Sequence, residues 1–567
     1  MQIRPSEKLV VKVLFIYTDI GISVGYSCGV GALSAYLRKK GHDTKLLHVS
    51  DELNYGLDVE KIVADVEEYD PGLICFSAVT NQWFYVKIIA KLIRRNCNIP
   101  IVVGGHHANA APAEIIEEEA VDFVCKGEGE RPLLELVEKL EAGENVHHVP
   151  NMLVKKRGYC NDTIEMKAES VTVEPVGVTD TSSSDGSSGE SIKDTTTYQL
   201  SDGTEIVDNP VGRWVDDLDS LPFEDRDIFN YREIVDSRHG WAEVIATRGC
   251  PYTCAYCFNI PFFDMYKEDL RNTGDAVKMK DFIRRRGVES TIAMLKEIIE
   301  EYPNVKYFTF VDDVFAIYTP WLAELAPVYK KEIGLPFAAT SQPLAFNERI
   351  ARILQEMGCK VVKMGVEAGN PDLRNQVLNR GIPDRVLIDA FNIARKYNLK
   401  PQAFNMIGLP RETNDNMMET VRLNAKLRAY IVWVSTFMPY PGTNLYTYCR
   451  DQGLMDETKW DGVKSYRGGS VLNETSFSRL DLEKMRVMFR WHLNVALQNG
   501  CSETYAAAIA ELDSLSEKVW MSGEAEELWL EREPMLDKQF REVQIDHYVG
   551  KKYVNMLWAE EYNYDLT

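Results

Sequence analysis

The chain has 567 residues, more than one core ordinarily holds, so two to four domains are expected. Hydrophobic residues make up 45% and charged residues 26%, the balance of an ordinary globular protein. A formal net charge of -22 argues against a surface built to neutralise phosphates, so nucleic acid is not an expected partner.

Residues 1–8 are polar and lead into a short apolar run. No apolar stretch approaches the roughly 18 residues that span a bilayer, and no secretory leader is visible, so no membrane span and a cytoplasmic location are expected. Residues 11–17 read as a buried strand and 29–40 as a helix stopped by Gly41. Further strands are expected at 73–77, 101–103 and 122–125, and further helices at 86–95 and 132–140. Strands alternating with helices make a parallel, doubly wound sheet, here expected over 8–145. Ligands of such sheets bind at the carboxyl ends of the strands, and Gly104-Gly105 and Gly127-Glu128-Gly129 lie there.

A connector is expected over 146–235. Within it, residues 176–203 are rich in Ser, Thr, Asp and Gly and carry almost no large apolar side chain. Such a segment buries too little surface to offset its ordering entropy, so a disordered insertion is expected. Over 236–455 the alternation resumes, with strands at 243–247, 306–311, 337–341, 361–366, 402–407 and 432–438. Helices lie between them, for example at 290–302, 321–331, 348–357 and 385–397. Six such units suggest a partial (β/α)6 barrel, with its active end at the carboxyl ends of the strands. Residues 456–567 read as a helical region in which Trp491, Trp520, Trp529 and Trp558 are expected to fill a core.

Eleven cysteines in a chain this long do not make a disulfide scaffold. Cys28, Cys75, Cys97, Cys125, Cys160, Cys359, Cys449 and Cys501 are scattered and read as structural. The other three stand in Arg248-Gly-Cys250-Pro-Tyr-Thr-Cys254-Ala-Tyr256-Cys257, directly after the first barrel strand. Thiolates at this spacing can hold three irons of a cubane and leave the fourth iron open to a small chelating molecule. Structural zinc ordinarily takes four ligands and Cys-x2-Cys pairs, and no second pair is visible.

At these residues the chain resembles the radical S-adenosylmethionine (SAM) superfamily, whose hallmark is Cys-x3-Cys-x2-Cys with an aromatic residue, here Tyr256, before the last cysteine. The resemblance implies a [4Fe-4S] cluster on Cys250, Cys254 and Cys257. It also implies SAM bound to the open iron and cleaved to a 5′-deoxyadenosyl radical. Other family motifs follow in order. Asp312 and Asp313 end the second barrel strand and would pair with the SAM ammonium. Gly365-Val-Glu367-Ala-Gly369 ends the fourth, with Ala368 where the family has Ser, and Glu367 would meet polar groups of SAM. Gly408-Leu-Pro410-Arg-Glu-Thr ends the fifth near the adenine, with Arg411 where Gly is usual.

The first domain resembles the cobalamin-binding module of one branch of that superfamily, through residues 29–41, Ser77-Ala-Val-Thr80, Val103-Gly-Gly-His-His107 and Gly127-Glu-Gly-Glu130. The resemblance implies that Ser77, Thr80, Gly104, Gly105, Gly127 and Glu128 hold cobalamin. None of the nine histidines, His106 and His107 included, lies in an Asp-x-His-x-x-Gly motif, so cobalt without a histidine below it is expected. Together the resemblances imply a cobalamin-dependent radical SAM methyltransferase acting on an unactivated carbon, with an external electron donor such as ferredoxin or flavodoxin. A non-methylating reaction such as oxidative cyclisation is the alternative of the same architecture. A cobalamin- or redox-sensing regulator is the alternative of another class. The substrate is open among peptides, lipids, tetrapyrroles and natural products.

Overall fold

The computed structural model describes residues 11–156, 195–273, 277–456, 458–459, 469–473, 476–545 and 547–548. Strands β1 (Val13–Asp19), β2 (Thr44–Ser50), β3 (Leu73–Ser77), β4 (Ile101–Gly104) and β5 (Phe123–Cys125) are largely buried along their whole length, as strands covered on both faces are. They pair in parallel in the order β2-β1-β3-β4-β5. Helices Cys28–Lys39, Val59–Tyr69, Trp83–Asn96 and Glu130–Ala142 alternate with them. The first starts where Ser27 accepts a hydrogen bond from the Val30 amide. Strand β2 and helix Val59–Tyr69 escaped the sequence reading; the helix buries only Ile62 and Val66.

Strands β6 (Met152–Lys155), β7 (Thr196–Gln199) and β8 (Glu205–Asp208) extend this sheet antiparallel to eight strands. The end of the expected 176–203 insertion is therefore ordered as an edge strand. Its side chains are all exposed, so ladder hydrogen bonds to β8 hold it rather than burial, and Thr196, Thr197 and Tyr198 are strand-forming residues. The remainder of that insertion, 176–194, lies outside the described residues.

The second sheet is a curled half-barrel. Strands β9 (Trp241–Val244), β10 (Thr247–Arg248), β11 (Arg284–Arg285), β12 (Tyr307–Phe310), β13 (Phe337–Ser341), β14 (Cys359–Glu367), β15 (Lys400–Ile407) and β16 (Ile431–Thr436) follow in sequence. Six of them lie parallel in the order β16-β15-β14-β13-β12-β9, while β10 and β11 form a small antiparallel pair beside the sheet. The outer helices stop and start on local signals. Asn347 caps Glu348–Met357, which ends at the left-handed Gly358. Thr413 and Asn416 form a capping box on Asn414–Leu427.

The two sheets share one apolar core, with Phe15, Cys75, Val102 and Phe123 from the first and Ala242, Val244, Phe308 and Phe310 from the second. Beyond the half-barrel, helices Arg479–Ala496, Ser502–Asp513, Glu517–Ser522 and Glu524–Glu542 bury Trp491, Trp520 and Trp529 in a core of their own. Trp558 lies outside the described residues. Among those described, no helix is long and apolar enough to cross a membrane.

Candidate active site at the domain seam

Parallel strands of both sheets point their carboxyl ends at the same space, a cavity of about 670 Å³. That is an ordinary size for a ligand site. The first domain lines it with Ser77, Gly104, Gly105, His106, Gly127 and Gly129; the half-barrel lines it with Arg248, Tyr256, Cys257, Phe258, Asp312 and Asp313. Residues far apart in the chain are thus brought to one place by topology alone.

The three motif cysteines sit on the loop from β10 to helix Asn259–Asp269. Cys250 and Cys254 are buried and Cys257 is half-buried. Burial pushes all three thiols up, Cys250 to about 12, so a bound cation would have to displace their protons. Two donors face them: Asn259 Nδ2 lies 3.7 Å from Cys257 Sγ, and Arg380 Nη1 lies 3.8 Å from Cys254 Sγ. Such donors favour sulfurs carrying negative charge. Among the described residues no three His, Cys, Asp or Glu side chains converge on a point as the shell of a single ion would. Three soft thiols on one loop, with donors to two of them, suit the corners of a cluster.

Arg380 escaped the sequence reading, and no spacing rule would have found it: the guanidinium comes from beyond the irregular turn Leu373–Val377. It donates to Tyr256 Oη at 2.6 Å, Glu367 Oε1 at 3.3 Å, Gln342 Oε1 at 3.1 Å and the Gly365 carbonyl at 2.7 Å. Glu367 itself stands at φ +70, just after an irregularity in the β14–β15 register. A non-glycine residue held in this region is strained, and such strain gathers at functional sites. Burial raises its carboxyl although Arg380 opposes the shift.

The acidic pair after β12 divides its work. Asp312 is buried, and Oδ1 accepts from the Ala246 amide, the Thr247 amide and Thr247 Oγ1, tying the start of the cluster loop to β12. Burial pushes it up to about 7 even against those bonds. Its Oδ2 has no partner, and Asp313 is exposed on the cavity. At the end of β15, Gly408 has φ +77, and Glu412 Oε2 accepts from the Gly408 and Leu409 amides at 2.6 and 2.9 Å. Pro410 lies in this turn, and Arg411 adopts φ +68, the conformation that makes glycine usual there. Ser341 Oγ, Thr436 Oγ1, Glu412 Oε1 and Asp312 Oδ2 are buried without partners at the carboxyl ends of their strands or in the loops that follow. Unsatisfied polar atoms gathered at one end of a half-barrel fit a polar ligand such as SAM.

On the other wall, Gly105 has φ +94, and a β-carbon there would lie 2.7 Å from the Ala78 carbonyl. Gly127, at φ +76, would press on Asn151 and Tyr266, each at 2.6 Å. Gly105 and Gly127 therefore leave no room for a side chain, and with Ser77 and Gly104 they line the cavity with small residues. Two expected contacts lie differently. Thr80 is not on the cavity wall; its hydroxyl meets His107 Nδ1 at 3.3 Å. Glu128 reaches the cavity, but its carboxylate is spent on Arg284 at 2.7 and 3.0 Å, on Arg248 at 3.2 Å and on the Val215 amide at 3.0 Å. Burial would raise it, but the two arginines outweigh that and hold it near 2. Arg248 also bonds Glu130 at 2.6 Å, so the cluster loop is clamped to the first domain by charge. His106 opens onto the cavity beside Phe258, ring centroids 5.9 Å apart, and burial lowers its basicity.

Residues 244–423 match the radical SAM superfamily and residues 20–137 match the B12 binding domain. Among curated proteins the chain is 23% identical to an uncharacterized methyltransferase of Pyrococcus horikoshii, over 77% of this chain and 81% of that one. It is 24% identical to the cytidylyl-2-hydroxyethylphosphonate methyltransferase of Streptomyces wedmorensis, over 79% and 82%. It is 22% identical to the anaerobic magnesium-protoporphyrin IX monomethyl ester cyclase of Cereibacter sphaeroides, over 82% and 68%. In fold it is similar to the methyltransferase TsrM from Kitasatospora setae, solved with cobalamin and a [4Fe-4S] cluster (TM-score 0.57, 16% identity, 78% of each chain). It is also similar to the cobalamin-dependent SAM radical enzyme OxsB, solved with aqua-cobalamin and SAM (TM-score 0.58, 14% identity, 96% of this chain and 77% of that one).

Proposed function

We propose that this chain, a B12-binding domain joined to a radical SAM domain, is a cobalamin-dependent radical SAM methyltransferase that acts on an unactivated carbon. The observation that carries the reading is the shared cavity: the small-residue wall of the first domain and Cys257 and Asp312 of the half-barrel line one space. When bound there, the cluster supplies the electron that breaks a carbon–sulfur bond of SAM, and cobalamin carries the methyl group.

The chain's own residues supply position and enclosure. Cys250, Cys254 and Cys257 hold the cluster. Asp312, by gripping Ala246 and Thr247, fixes where the loop leaves the sheet. Asp312 Oδ2 and Asp313 would present acceptors to the SAM ammonium, Glu367 would meet other polar groups of SAM, and the turn at Gly408 and Pro410 would meet its adenine. Ser77, Gly104, Gly105 and Gly127 admit the cobalamin tail. The Glu128–Arg248–Arg284 group keeps the seam shut, so that a reactive radical is shielded from water. An external donor such as ferredoxin or flavodoxin provides the reducing electron.

A second reading is a non-methylating radical reaction of the same site, which the likeness to the Cereibacter sphaeroides cyclase favours. Product mass separates the two: methylation adds one methylene per group transferred, and cyclisation adds none. A regulator would form no 5′-deoxyadenosine after reduction with SAM.

A further inference from the structure

Below the cluster loop, the inner face of the half-barrel carries a lysine with no part in holding the cluster, SAM or cobalamin. Along β14, Val362, Met364 and Val366 are buried in the main core, so alternation turns Lys363, Gly365 and Glu367 to the opposite face. That is the face on which Glu367 meets Arg380. Lys363 Nζ reaches across β13 to donate to Thr309 Oγ1 on β12 at 2.7 Å. It stands 5.8 Å from the ring of Trp241 on β9. Among the described residues no carboxylate lies within 4.0 Å of it. Glu243, opposite Thr309 in the β9–β12 register, is taken by Arg238 at 2.5 Å.

Thr340 and Gln402 flank Lys363 in register, and the aromatics of the same face begin two residues further along β15. Register places Phe404 of β15 next to Gly365, over which Glu367 and Arg380 close, and Trp433 of β16 next to Phe404. Phe404 is 36% exposed although β15 is an interior strand with neighbours on both sides. Trp433 and Ser435 are half-buried. An aromatic in mid-sheet that still meets solvent lines a cavity rather than a core.

A desolvated ammonium without a counter-ion is costly, and an anion brought by a ligand removes that cost. We infer that the half-barrel binds an amphipathic acid: a carboxylate or phosphate of the substrate is held by Lys363 and Thr309, and its apolar body lies on Phe404 and Trp433. This deepens the proposed function by naming the class of its substrate, and it rests on the half-barrel being the reaction chamber. Burial lowers the Lys363 ammonium to about 8, with Glu243 opposing and Arg238 adding to the shift, so a neutral fraction is open to acylation in mild alkali.

The test is acetylation of the intact holoenzyme by acetic anhydride, with modification of Lys363 followed by peptide mass spectrometry. Octanoate and octyl phosphate are the two anionic probes, octanol the neutral one and inorganic phosphate the headless one. The expected result is about tenfold slower acetylation of Lys363 with one of the two octyl anions, and little change with octanol. Whichever anion protects better identifies the head group. Phe404→Ala should remove the advantage of octyl phosphate over inorganic phosphate. The inference is overturned if octanol protects equally, if the anions protect Lys363 no more than exposed Lys396, or if Lys363 does not react at all. 5′-Deoxyadenosine is measured in the same preparation. Its absence beside protected Lys363 would strike the proposed function and leave the acid site standing; its presence beside unprotected Lys363 would do the reverse.

Discussion

Replacing Arg380 by Gln should make the cluster harder to reduce without removing it. The guanidinium lies 3.8 Å from Cys254 Sγ and is buried, so its charge acts on any electron added to the cluster. At an effective dielectric constant of about 20, a charge pair 4 Å apart is worth about 4 kcal/mol. The added electron is spread over the cubane, so roughly half of that, about 2 kcal/mol, is a reasonable share. At about 59 mV per 1.4 kcal/mol for one electron, the midpoint should fall by about 80 mV. Arg380→Lys keeps the charge but loses the fork that joins Tyr256, Gln342 and Gly365, and should fall by less. The assay is electron paramagnetic resonance of the reduced cluster during a potentiometric titration, with iron content measured on each sample. An unchanged midpoint in Arg380→Gln at full iron content would refute the argument.

Cys250→Ala, Cys254→Ala and Cys257→Ala should each lose the cluster signal and SAM cleavage, whereas Cys359→Ala and Cys449→Ala should keep both. Gly105→Val should abolish cobalamin retention, read from its visible absorbance, because even a β-carbon would meet the Ala78 carbonyl at 2.7 Å, while leaving cluster iron intact. Burial pushes Glu412 up to about 8. A carboxyl whose folded value exceeds its unfolded one binds its proton more tightly when folded, so its contribution to stability is full below about pH 4.3 and is lost as pH rises toward 8. Glu412→Gln should therefore flatten the fall of the thermal midpoint between those values; an equally steep fall in the variant would contradict the assignment. The cob(II)alamin form should show no axial nitrogen splitting in its electron paramagnetic resonance spectrum; a splitting that appeared and vanished in His106→Ala or His107→Ala would contradict cobalt without a histidine below it.

Much of this was legible because the signals are local. The strand at Phe337–Ser341 and the helix at Glu348–Met357 are periodic runs bounded by a cap or a glycine, and they lie where the sequence places them. The cluster loop is a contiguous motif. What the sequence hid is what depends on distant partners. Glu128 belongs to a loop that looks like a ligand turn, yet two arginines 120 and 156 positions away claim its carboxylate, and only the docked domains reveal them. Arg380 is one arginine among many until folding sets it against Cys254. β7 shows the opposite failure: composition alone argued for disorder over a stretch whose last residues are strand formers with a partner nearby.

The most direct test of the central claim is to incubate the reduced holoenzyme with SAM carrying an isotopically labelled methyl group. The proposed function predicts 5′-deoxyadenosine and S-adenosylhomocysteine together, with label on the bound cobalamin before substrate is added and on the product carbon after. 5′-Deoxyadenosine without S-adenosylhomocysteine or labelled cobalamin would contradict methyl transfer and leave a radical enzyme of another outcome.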